Sequence, residues 1–291
     1  MREVDNAVIM AAGMSSRFAP LSWEIPKPLL PVKGEILIER QIRQLREAGV
    51  HRIYVVVGYM AEKFSYLENA FGVELLQNPD YANRNNNGSI YAARHVLGNS
   101  YVCSGDNYFS VNPFTLNVMD SYYAAVYAEG ETKEWCMTEG ADGYIDAVSI
   151  GGEHAWYMLG HTFWNETFSK NYLRILEREY FVPGTAEKLW EHIFMEHIED
   201  LKMRIQKYQP GEIWEFDTLE ELRAFDGSYI QDTRSSVLKQ IANAFGVQEY
   251  ALRDICVGND CGETGFLFRQ EGVLYRYDRA SECFFELKGS F

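Results

Sequence analysis

The sequence predicts an α/β fold in which helices cover a mainly parallel sheet. Two short runs, "NAVIM" (6–10) and "RIYVVVGY" (52–59), are continuously apolar and rich in β-branched residues, as strands buried on both faces are. Between them, apolar residues recur at helical spacing over 38–45, and the pattern ends at Gly49, a residue that commonly stops a helix. A strand, a helix and a second strand in this order are typical of a parallel sheet.

The alternation continues along the chain. We expect, in order, a helix near 61–70, a strand near 73–77, a helix near 89–97 and a strand at 100–106. After residue 121 the sequence favours antiparallel strands rich in Tyr and Trp, then helices at 165–179 and 185–199, a strand near 202–207 and a helix begun by "FDTLEELRAF". Ligands of such sheets bind at the carboxyl ends of the strands, so the segments after the first strand and after "SYVCS" are the candidate site.

Composition narrows the classes of partner. The 291 residues suffice for one large domain or a domain with an appendage, and 27 Lys and Arg against 42 Asp and Glu give a formal charge of -15. This balance argues against nucleic acid or an anionic membrane as the main partner, while cationic ligands, divalent metals and a plain acidic surface all fit it. Five scattered cysteines, no signal-peptide pattern and no long apolar run lead us to expect a cytoplasmic protein with reduced thiols.

The loop "AAGMSSRFAPLSWEIPKPLLPV" (11–32) has the character of an anion-binding segment. Small residues let a phosphate approach the backbone N–H groups, Arg17 and Lys27 supply positive charge, and prolines around Lys27 stiffen its approach. GxGxxG and GK[ST] are absent from the sequence, which excludes the dinucleotide fingerprint and the P-loop. We expect a triphosphate to contact the first residues of the loop: Ala11, Ala12, Gly13, Met14, Ser15 and Ser16.

Other candidate features admit a structural reading as well as a functional one. Asp106 could simply be a turn residue after its strand, and Asp217 could cap the helix that begins at "LEEL". The block "NRNNNGS" (83–89) could be a loop in which Ser89 caps the next helix, or a set of amides for a pyrimidine and ribose. The Tyr and Trp residues could fill a core or hold a trimethylammonium group over their faces. The histidines lack metal-site spacing, so we expect ordinary roles for them.

The loop at 11–32 resembles the signature loop of nucleoside-triphosphate transferases that activate sugar phosphates and related phosphate esters. It departs from that signature at Ser15, where glycine is frequent, and at Ala19, where a second arginine is frequent. Over residues 3–226, "VVVGYMAEKFSYL", "NPDYANRNNNGSIYAAR", "SYVCSGDNYF", "TKEWCM" and "IWEFDTLEEL" occur in the order and at spacings similar to those of bacterial CTP:phosphocholine cytidylyltransferases. This resemblance covers about three quarters of the chain.

The resemblance implies a fold, a reaction and a metal. The fold is a mixed, mainly parallel Rossmann-like sheet with helices on both faces, of the nucleotide-diphospho-sugar transferase type. The reaction is CTP plus phosphocholine giving CDP-choline and pyrophosphate, with Mg²⁺ held by Asp106 and Asp217. The acceptor phosphate is already ionised at neutral pH, so no general base is needed, and Lys27 and Arg17 would act by positioning and charge neutralisation.

The resemblance also implies two sets of ligand contacts. For the nucleotide these are Asn85, Asn86 and Ser89. For the acceptor they are Trp135, Trp190 and Glu191, with Tyr127 and Tyr180 as further walls.

The end of the chain has a different character, and we place a boundary near residue 229. This gives a nucleotidyltransferase domain, 1–229, and a small α+β accessory domain, 230–291. The amphipathic helix "SSVLKQIANAF" and a hairpin turning near Glu271-Gly272 resemble the opening of bacterial choline-kinase-like phosphotransferases. The kinase catalytic residues have no counterpart in the sequence, so we expect an accessory role in a homodimer contact or in closing the acceptor site.

Three alternative functions remain open from the sequence. The acceptor could be phosphoethanolamine or 2-aminoethylphosphonate in place of phosphocholine. A sugar-1-phosphate nucleotidyltransferase using UTP, CTP or dTTP would share the loop and the metal ligands, but should line its acceptor pocket with polar partners for hydroxyl groups. A nucleotide-binding protein without catalysis is the third, although the presence of both cations and both carboxylates argues against it.

Overall fold

The computed structural model describes residues 1–258, 261 and 264–287. Its contacts divide the chain into two compact units: unit 1 is Met1–Gly13 with Leu37–Glu215, and unit 2 is Met14–Ile36 with Phe216–Phe291. This division follows proximity in space, whereas the predicted domains 1–229 and 230–291 follow the linear sequence and stay a prediction. Residues 259, 260, 262, 263 and 288–291 of the predicted accessory domain lie outside the described residues.

Unit 1, described throughout, is built on a seven-stranded mixed sheet with the spatial order β7-β5-β6-β4-β1-β2-β3. Its strands are β1 (Asn6–Ala11), β2 (Ile53–Val57), β3 (Glu74–Gln77), β4 (Ser100–Ser104), β5 (Tyr122–Glu139), β6 (Ile145–Trp164) and β7 (Arg204–Tyr208). Neighbours are parallel except at β5–β6 and β6–β4. The expectation of a mixed, mainly parallel sheet is confirmed.

The centre of the sheet is buried as the apolar runs predict. Val8 of β1 lies opposite Tyr54 of β2 and Val102 of β4, and Ala7, Val8 and Ile9 have no exposed surface. A strand with neighbours on both edges and cover on both faces has to be apolar at every position, which explains the continuous run.

Five helices of unit 1 connect or flank the strands: α1 (Leu37–Glu47), α2 (Tyr66–Phe71), α3 (Asn87–Ala92), α4 (Glu166–Glu179) and α5 (Trp190–Glu196). The predicted α1 is confirmed, since Ile38, Ile42 and Leu45 are all fully buried on one face. Unit 1 also contains a 3₁₀ turn at Ala61–Phe64. It has two pairs of short strands as well: Arg2–Glu3 with Asn117–Val118, and Tyr108–Phe109 with Ile213–Trp214.

Two helices differ from their predicted bounds. The helix expected at 89–97 begins at Asn87 and ends at Ala92, and the one expected at 185–199 is confined to Trp190–Glu196. The later start of the second helix, α5, has a long-range reason: Asn87 donates from Nδ2 to the carbonyl oxygens of Thr185 and Lys188, which holds 185–188 as a non-helical segment. Local periodicity carries no trace of such a contact.

The antiparallel strands rich in Tyr and Trp that are expected after residue 121 form two long strands, β5 and β6. The pair Gly151-Gly152, which suggests a turn, lies within β6. Thr132 lies opposite Gly152 and Trp135 opposite Ile150, so two residues of β5 face the single Gly151, whose φ is +77°. A β-bulge of this kind accommodates the glycine pair, and β6 continues past it.

Unit 2 combines helical turns with a small sheet. Its helices are α6 (Leu219–Phe225) and α7 (Ser236–Phe245), with short turns at Ser16–Phe18, Leu21–Glu24, Lys27–Leu29, Ser228–Gln231 and Glu249–Ala251. Strands β8 (Arg253–Cys256), β9 (Gly265–Gln270), β10 (Val273–Asp278) and β11 (Cys283–Glu286) pair antiparallel in that order, and Pro31–Val32 pairs with Glu35–Ile36. The predicted hairpin turn is confirmed, because Glu271 and Gly272 join β9 to β10 with φ of +48° and +81°.

In the described part of the chain, no helix has both the length and the apolar character needed to cross a bilayer.

Candidate active site

The start of the anion-binding loop lies where β1 ends. Ala11 and Ala12 are buried, Gly13 is exposed, and the carbonyl oxygen of Ala12 accepts a 3.1 Å hydrogen bond from the N–H of Tyr59. A Cβ added to Gly13 would meet nothing within 4 Å. Packing against neighbouring atoms therefore does not require glycine at this position. The open space beside its backbone leaves room for a ligand.

The next residues, in unit 2, form a tight turn. Ser15 has a left-handed conformation (φ +47°, ψ +47°), and its carbonyl oxygen accepts from the N–H of Phe18, while that of Ser16 accepts from Ala19. A positive φ favours glycine, which gives a physical reason why glycine is frequent at the position of Ser15 in the resembling loops. The two hydrogen bonds of this turn are donated by the N–H groups of Phe18 and Ala19. The N–H groups of the preceding loop residues are not donors in these two bonds.

Lys27 is held rigidly and is 4% exposed. It begins a 3₁₀ turn between Pro26 and Pro28, and its ammonium lies 5.7 Å from the centre of the Phe18 ring. The stiffening predicted from the prolines is consistent with this turn, because their fixed φ leaves the backbone little freedom. The catalytic role of Lys27 stays a prediction.

Arg17 and Asp217 meet within unit 2. Arg17 Nη1 donates to Asp217 Oδ2 at 2.9 Å, and the two side chains are 76% and 41% exposed. The alternative reading of Asp217 as the helix cap is wrong: Thr218 caps α6, since its Oγ1 accepts from Glu221 N–H while Glu221 Oε2 accepts from the N–H groups of Asp217 and Thr218. The Asp217 carboxylate is thus not engaged in the cap.

Asp106 lies on a tightly held turn of unit 1, directly after β4. Gly105 N–H donates to the carbonyl oxygen of Met10, and Gln41 Nε2, from α1, donates to the carbonyl oxygens of Ser104 and Asn107 at 2.8 and 2.9 Å. The carboxylate itself is half-buried. Sequence reasoning missed Gln41, although a glutamine on the apolar face of a predicted helix is a signal for such a bond.

Asp106 and Asp217 offer a donor set that fits Mg²⁺. This ion takes hard oxygen ligands, usually one or two carboxylates together with phosphate and water, and both residues present partly exposed carboxylates. Asp106 belongs to unit 1 and Asp217 to unit 2. Their joint role as metal ligands stays a prediction.

The polar block at 83–89 binds the segment 185–191 of the same unit. Asn85 N–H donates to the carbonyl oxygen of Ala186 at 2.8 Å, and Asn86 Oδ1 accepts from Trp190 N–H at 2.7 Å. The expected cap at Ser89 is wrong, because Ser89 is buried inside α3, where its Oγ accepts from Asn78 Nδ2. The contacts of Asn85, Asn86 and Ser89 with a nucleotide stay a prediction.

Glu191 is half-buried and has two polar neighbours in unit 1. Tyr123 Oη donates to Oε1 and Asn86 Nδ2 to Oε2, both at 3.2 Å. Burial raises the pKa of Glu191 from 4.5 to about 7, against the lowering effect of these hydrogen bonds. Tyr123 was not predicted as a site residue. It lies two positions before Ala125 and four before Tyr127 in β5, so the three side chains are on the same face of the strand.

Two of the aromatic residues predicted for the acceptor are packed in the core. Trp190 is 1% exposed and stacks on Tyr123 with centroids 5.7 Å apart. Tyr180 is 2% exposed; the Tyr91 ring lies 3.7 Å from it and the Arg84 guanidinium 3.8 Å. Neither ring offers an open face in this conformation, so their contact with a ligand stays a prediction that requires the covering side chains to move.

The other two aromatic residues are half-buried. Trp135 packs on the edge of the core cluster that contains Trp190, and its ring lies 4.8 Å from that of His192. Tyr127 makes an edge contact of 5.2 Å with Trp156. These rings retain exposed surface and are the better candidates for holding a cationic group.

A separate group of potential metal ligands lies where α4 and α5 end. Ligand atoms of Glu179, Glu196 and His197 lie within 4.8 Å of one another. Glu179 Oε1 already pairs with Arg178 and His197, and Glu196 Oε2 with Lys188. The charges of this group are therefore balanced by protein side chains, in line with the ordinary role expected for the histidines.

Comparison with known sequences identifies the chemistry. Residues 7–143 match the MobA-like NTP transferase domain. The chain is 31% identical to the choline-phosphate cytidylyltransferase of Streptococcus pneumoniae over 76% of its own length and 96% of that protein. It is 36% identical to the 2-aminoethylphosphonate cytidylyltransferase of Lancefieldella rimae over 80% of its length and 96% of that protein.

Comparison with solved structures agrees. The structure of CTP:phosphocholine cytidylyltransferase from Streptococcus pneumoniae (LicC) is similar to this chain with a TM-score of 0.73, at 32% identity, covering 78% of this chain and 99% of that one. The predicted fold class and the predicted resemblance are confirmed. This chain belongs to the family of bacterial choline-phosphate cytidylyltransferases, and it is a nucleotidyltransferase of the cytidylyl-transferring type.

Proposed function

We propose that this enzyme transfers the cytidylyl group of CTP to phosphocholine in a Mg²⁺-dependent reaction. An oxygen of the acceptor phosphate bonds to the α-phosphorus of CTP, the bond from that phosphorus to the oxygen bridging to the β-phosphate breaks, and pyrophosphate leaves as CDP-choline forms. Two relatives named choline-phosphate cytidylyltransferase, from Streptococcus pneumoniae and Haemophilus influenzae, support this acceptor.

The residues of the loop act on the triphosphate. Lys27 and Arg17 neutralise negative charge that shifts to the leaving pyrophosphate, and the backbone from Ala11 to Ser16 positions the phosphates. Arg17 exchanges its bond with Asp217 for a bond to phosphate, an exchange made easy by the exposure of both side chains. Asp106 and Asp217 would hold Mg²⁺, which would supply further charge neutralisation.

The observation that carries the acceptor proposal is the half-buried Glu191, whose desolvation raises its pKa. A carboxylate kept from water attracts a cationic amine strongly once it is ionised, whereas a sugar needs hydrogen-bonding partners for its hydroxyl groups. Trp135, half-buried at the edge of the same core cluster, adds an aromatic face of the kind that attracts trimethylammonium.

2-Aminoethylphosphonate is the second candidate acceptor, on two observations. The relative that uses it has the higher identity, 36% against 31%. A primary ammonium can also donate hydrogen bonds to Glu191, and needs fewer open aromatic faces than a trimethylammonium does; Trp190 and Tyr180 are both covered.

Pyrophosphate release tests these assignments. The purified chain with Mg²⁺ is given CTP, UTP, ATP or dTTP, each with phosphocholine, phosphoethanolamine, 2-aminoethylphosphonate or glucose 1-phosphate. We expect release with CTP and phosphocholine, at a kcat/KM at least tenfold above that for the two primary amines. The opposite order would select the phosphonate assignment, and release with the sugar phosphate alone would overturn both.

A further inference from the structure

The end of the chain is tied to the segment that carries both cations. Glu24 accepts hydrogen bonds from Ser235 Oγ (2.6 Å), Ser236 Oγ (2.6 Å) and Ser236 N–H (2.8 Å). These groups form the first turn of α7, so the carboxylate lies at the positive end of that helix. The hydrogen bonds hold the pKa of Glu24 below its usual value, although burial acts in the opposite direction.

The residue before Glu24 is held by the small sheet. The Trp23 ring contacts Phe266 of β9 at 5.7 Å and Tyr277 of β10 at 6.3 Å, and the Arg279 guanidinium lies 4.8 Å from its centre. Phe266 is fully buried, which makes this a packed contact and not a surface one.

Further along, the same segment is anchored at its other end. Lys33 N–H donates to Asp226 Oδ2 at 2.7 Å, and Tyr229 Oη donates to the carbonyl oxygen of Pro31 at 2.8 Å. Arg17 precedes the anchored pair 23–24 by six residues, and Lys27 follows it by three. The two cations therefore lie on either side of a point that the end of the chain holds in place.

We propose that α7, β9 and β10 brace the segment 14–36, and that Glu24 and Trp23 are positioning residues which keep Arg17 and Lys27 in the arrangement that receives the triphosphate. This inference rests on the proposed function of those two cations. A segment rich in turns has to lose conformational freedom to bind a ligand, and bracing it beforehand increases the fraction of molecules that are competent to bind.

The prediction is a change in nucleotide affinity more than in turnover. When only part of the population is competent, the apparent dissociation constant rises in proportion, while saturating CTP restores the competent state. We expect Glu24→Ala in the full chain to raise KM for CTP about tenfold, with less than a threefold change in kcat and in KM for the acceptor. Glu24→Gln, which keeps one accepting oxygen, should lie in between.

Hydrogen exchange provides the readout that does not depend on activity. Amides of 14–36 should exchange faster in nucleotide-free Glu24→Ala, and in the milder Ser236→Ala if Glu24→Ala folds poorly. Asp232→Ala is the matched control: it removes a tail carboxylate that accepts from Arg234 N–H and pairs with Lys239, and it should leave KM for CTP and exchange over 14–36 unchanged.

Unchanged exchange and unchanged KM for CTP in both Glu24→Ala and Ser236→Ala would overturn the brace. Failure of the proposed function has a different signature. In that case Arg17→Ala and Lys27→Ala would leave KM and kcat with CTP unaltered, while Glu24→Ala would still accelerate exchange.

Discussion

At the scale of single residues, the chemistry depends on a few charged groups whose environments differ. Lys27 is buried in a proline-stiffened turn, Arg17 is exposed and paired with Asp217, and Glu191 is half-buried among polar neighbours. Fixed, dehydrated charges act more strongly on a ligand than mobile, solvated ones. The strongest effects of mutation should therefore come from Lys27 and Glu191.

Lys27→Ala should keep the fold but lower kcat about 100- to 1,000-fold, because a positioned cation that stabilises the leaving pyrophosphate is lost. Steady-state kinetics with CTP, alongside circular dichroism, measures both effects. Lys170→Ala removes an exposed lysine that pairs with Glu166, and should leave kcat unaltered. Turnover near that of the unmodified enzyme in Lys27→Ala would remove Lys27 from the mechanism.

Glu191 should make acceptor binding depend on pH. Its pKa in the folded chain, about 7, means that the cation-binding, ionised form accumulates as pH rises from 6 to 8, so kcat/KM for the acceptor should rise over that interval. Glu191→Gln should lose affinity for the acceptor and flatten this part of the profile. Comparing the two proteins on one acceptor cancels the ionisation of the acceptor's own phosphate; identical slopes would contradict the assignment.

The same carboxyl group affects stability with a definite sign. Because its pKa is raised by folding from 4.5 to about 7, the folded state binds more protons than the unfolded state between these values. The contribution of Glu191 to the free energy of unfolding is thus most favourable at low pH and declines as pH rises through that window. Urea unfolding of Glu191→Gln should lack this decline.

At the scale of secondary-structure elements, α1 holds the turn that carries Asp106. Its buried Gln41 donates to two carbonyl oxygens of that turn, and Gln44 donates to Phe109 further along. Both glutamines leave a buried Oε1 without a partner among the described residues. A buried oxygen without a hydrogen-bond partner costs free energy. The hydrogen bonds that the two Nε2 groups donate to backbone carbonyl oxygens offset that cost.

Gln41→Leu should weaken metal binding by loosening this turn, in addition to lowering the free energy of unfolding by about 1–3 kcal/mol through the unpaired carbonyl groups. Manganese binding followed by electron paramagnetic resonance, with urea unfolding, separates the two effects. Gln44→Leu is the matched control, with a comparable loss of stability and little change in manganese affinity. Equal losses of affinity in the two variants would show that the turn is not specifically held by Gln41.

Elements set by local periodicity were predictable, and those set by distant contacts were not. The spacing of Ile38, Ile42 and Leu45 encodes α1 directly, and Gly272, which readily accepts a positive φ, marks the turn of the β9–β10 hairpin. The start of α5, by contrast, depends on bonds from Asn87 to Thr185 and Lys188, about one hundred positions away.

The candidate site likewise contains some features that the sequence predicts and others that depend on tertiary contacts. The loop stands out from residue type and spacing, whereas Asp106, Asp217 and Glu191 are singled out by the family resemblance. The burial of Trp190 against Tyr123 and the engagement of Gln41 depend on tertiary packing, which a single sequence does not encode in any local pattern.

At the scale of the whole molecule, the predicted site residues belong to two compact units. Unit 1 carries Asp106, Glu191 and the start of the loop, and unit 2 carries Arg17, Lys27 and Asp217. The chain's net charge of -15 also makes metal ions and fixed cations necessary for drawing a triphosphate to it. The cytoplasmic location and the homodimer stay predictions.

The central claim is that a triphosphate is gripped by the loop cations together with a metal held by Asp106 and Asp217. The most direct test is a crystal structure with a non-hydrolysable CTP analogue and Mn²⁺, with the ion located by anomalous scattering. The account predicts one manganese within coordinating distance of both carboxylates and a phosphate oxygen, and Lys27 Nζ in contact with the phosphates. A manganese bound away from either aspartate, or a Lys27 side chain directed away from the nucleotide, would contradict it.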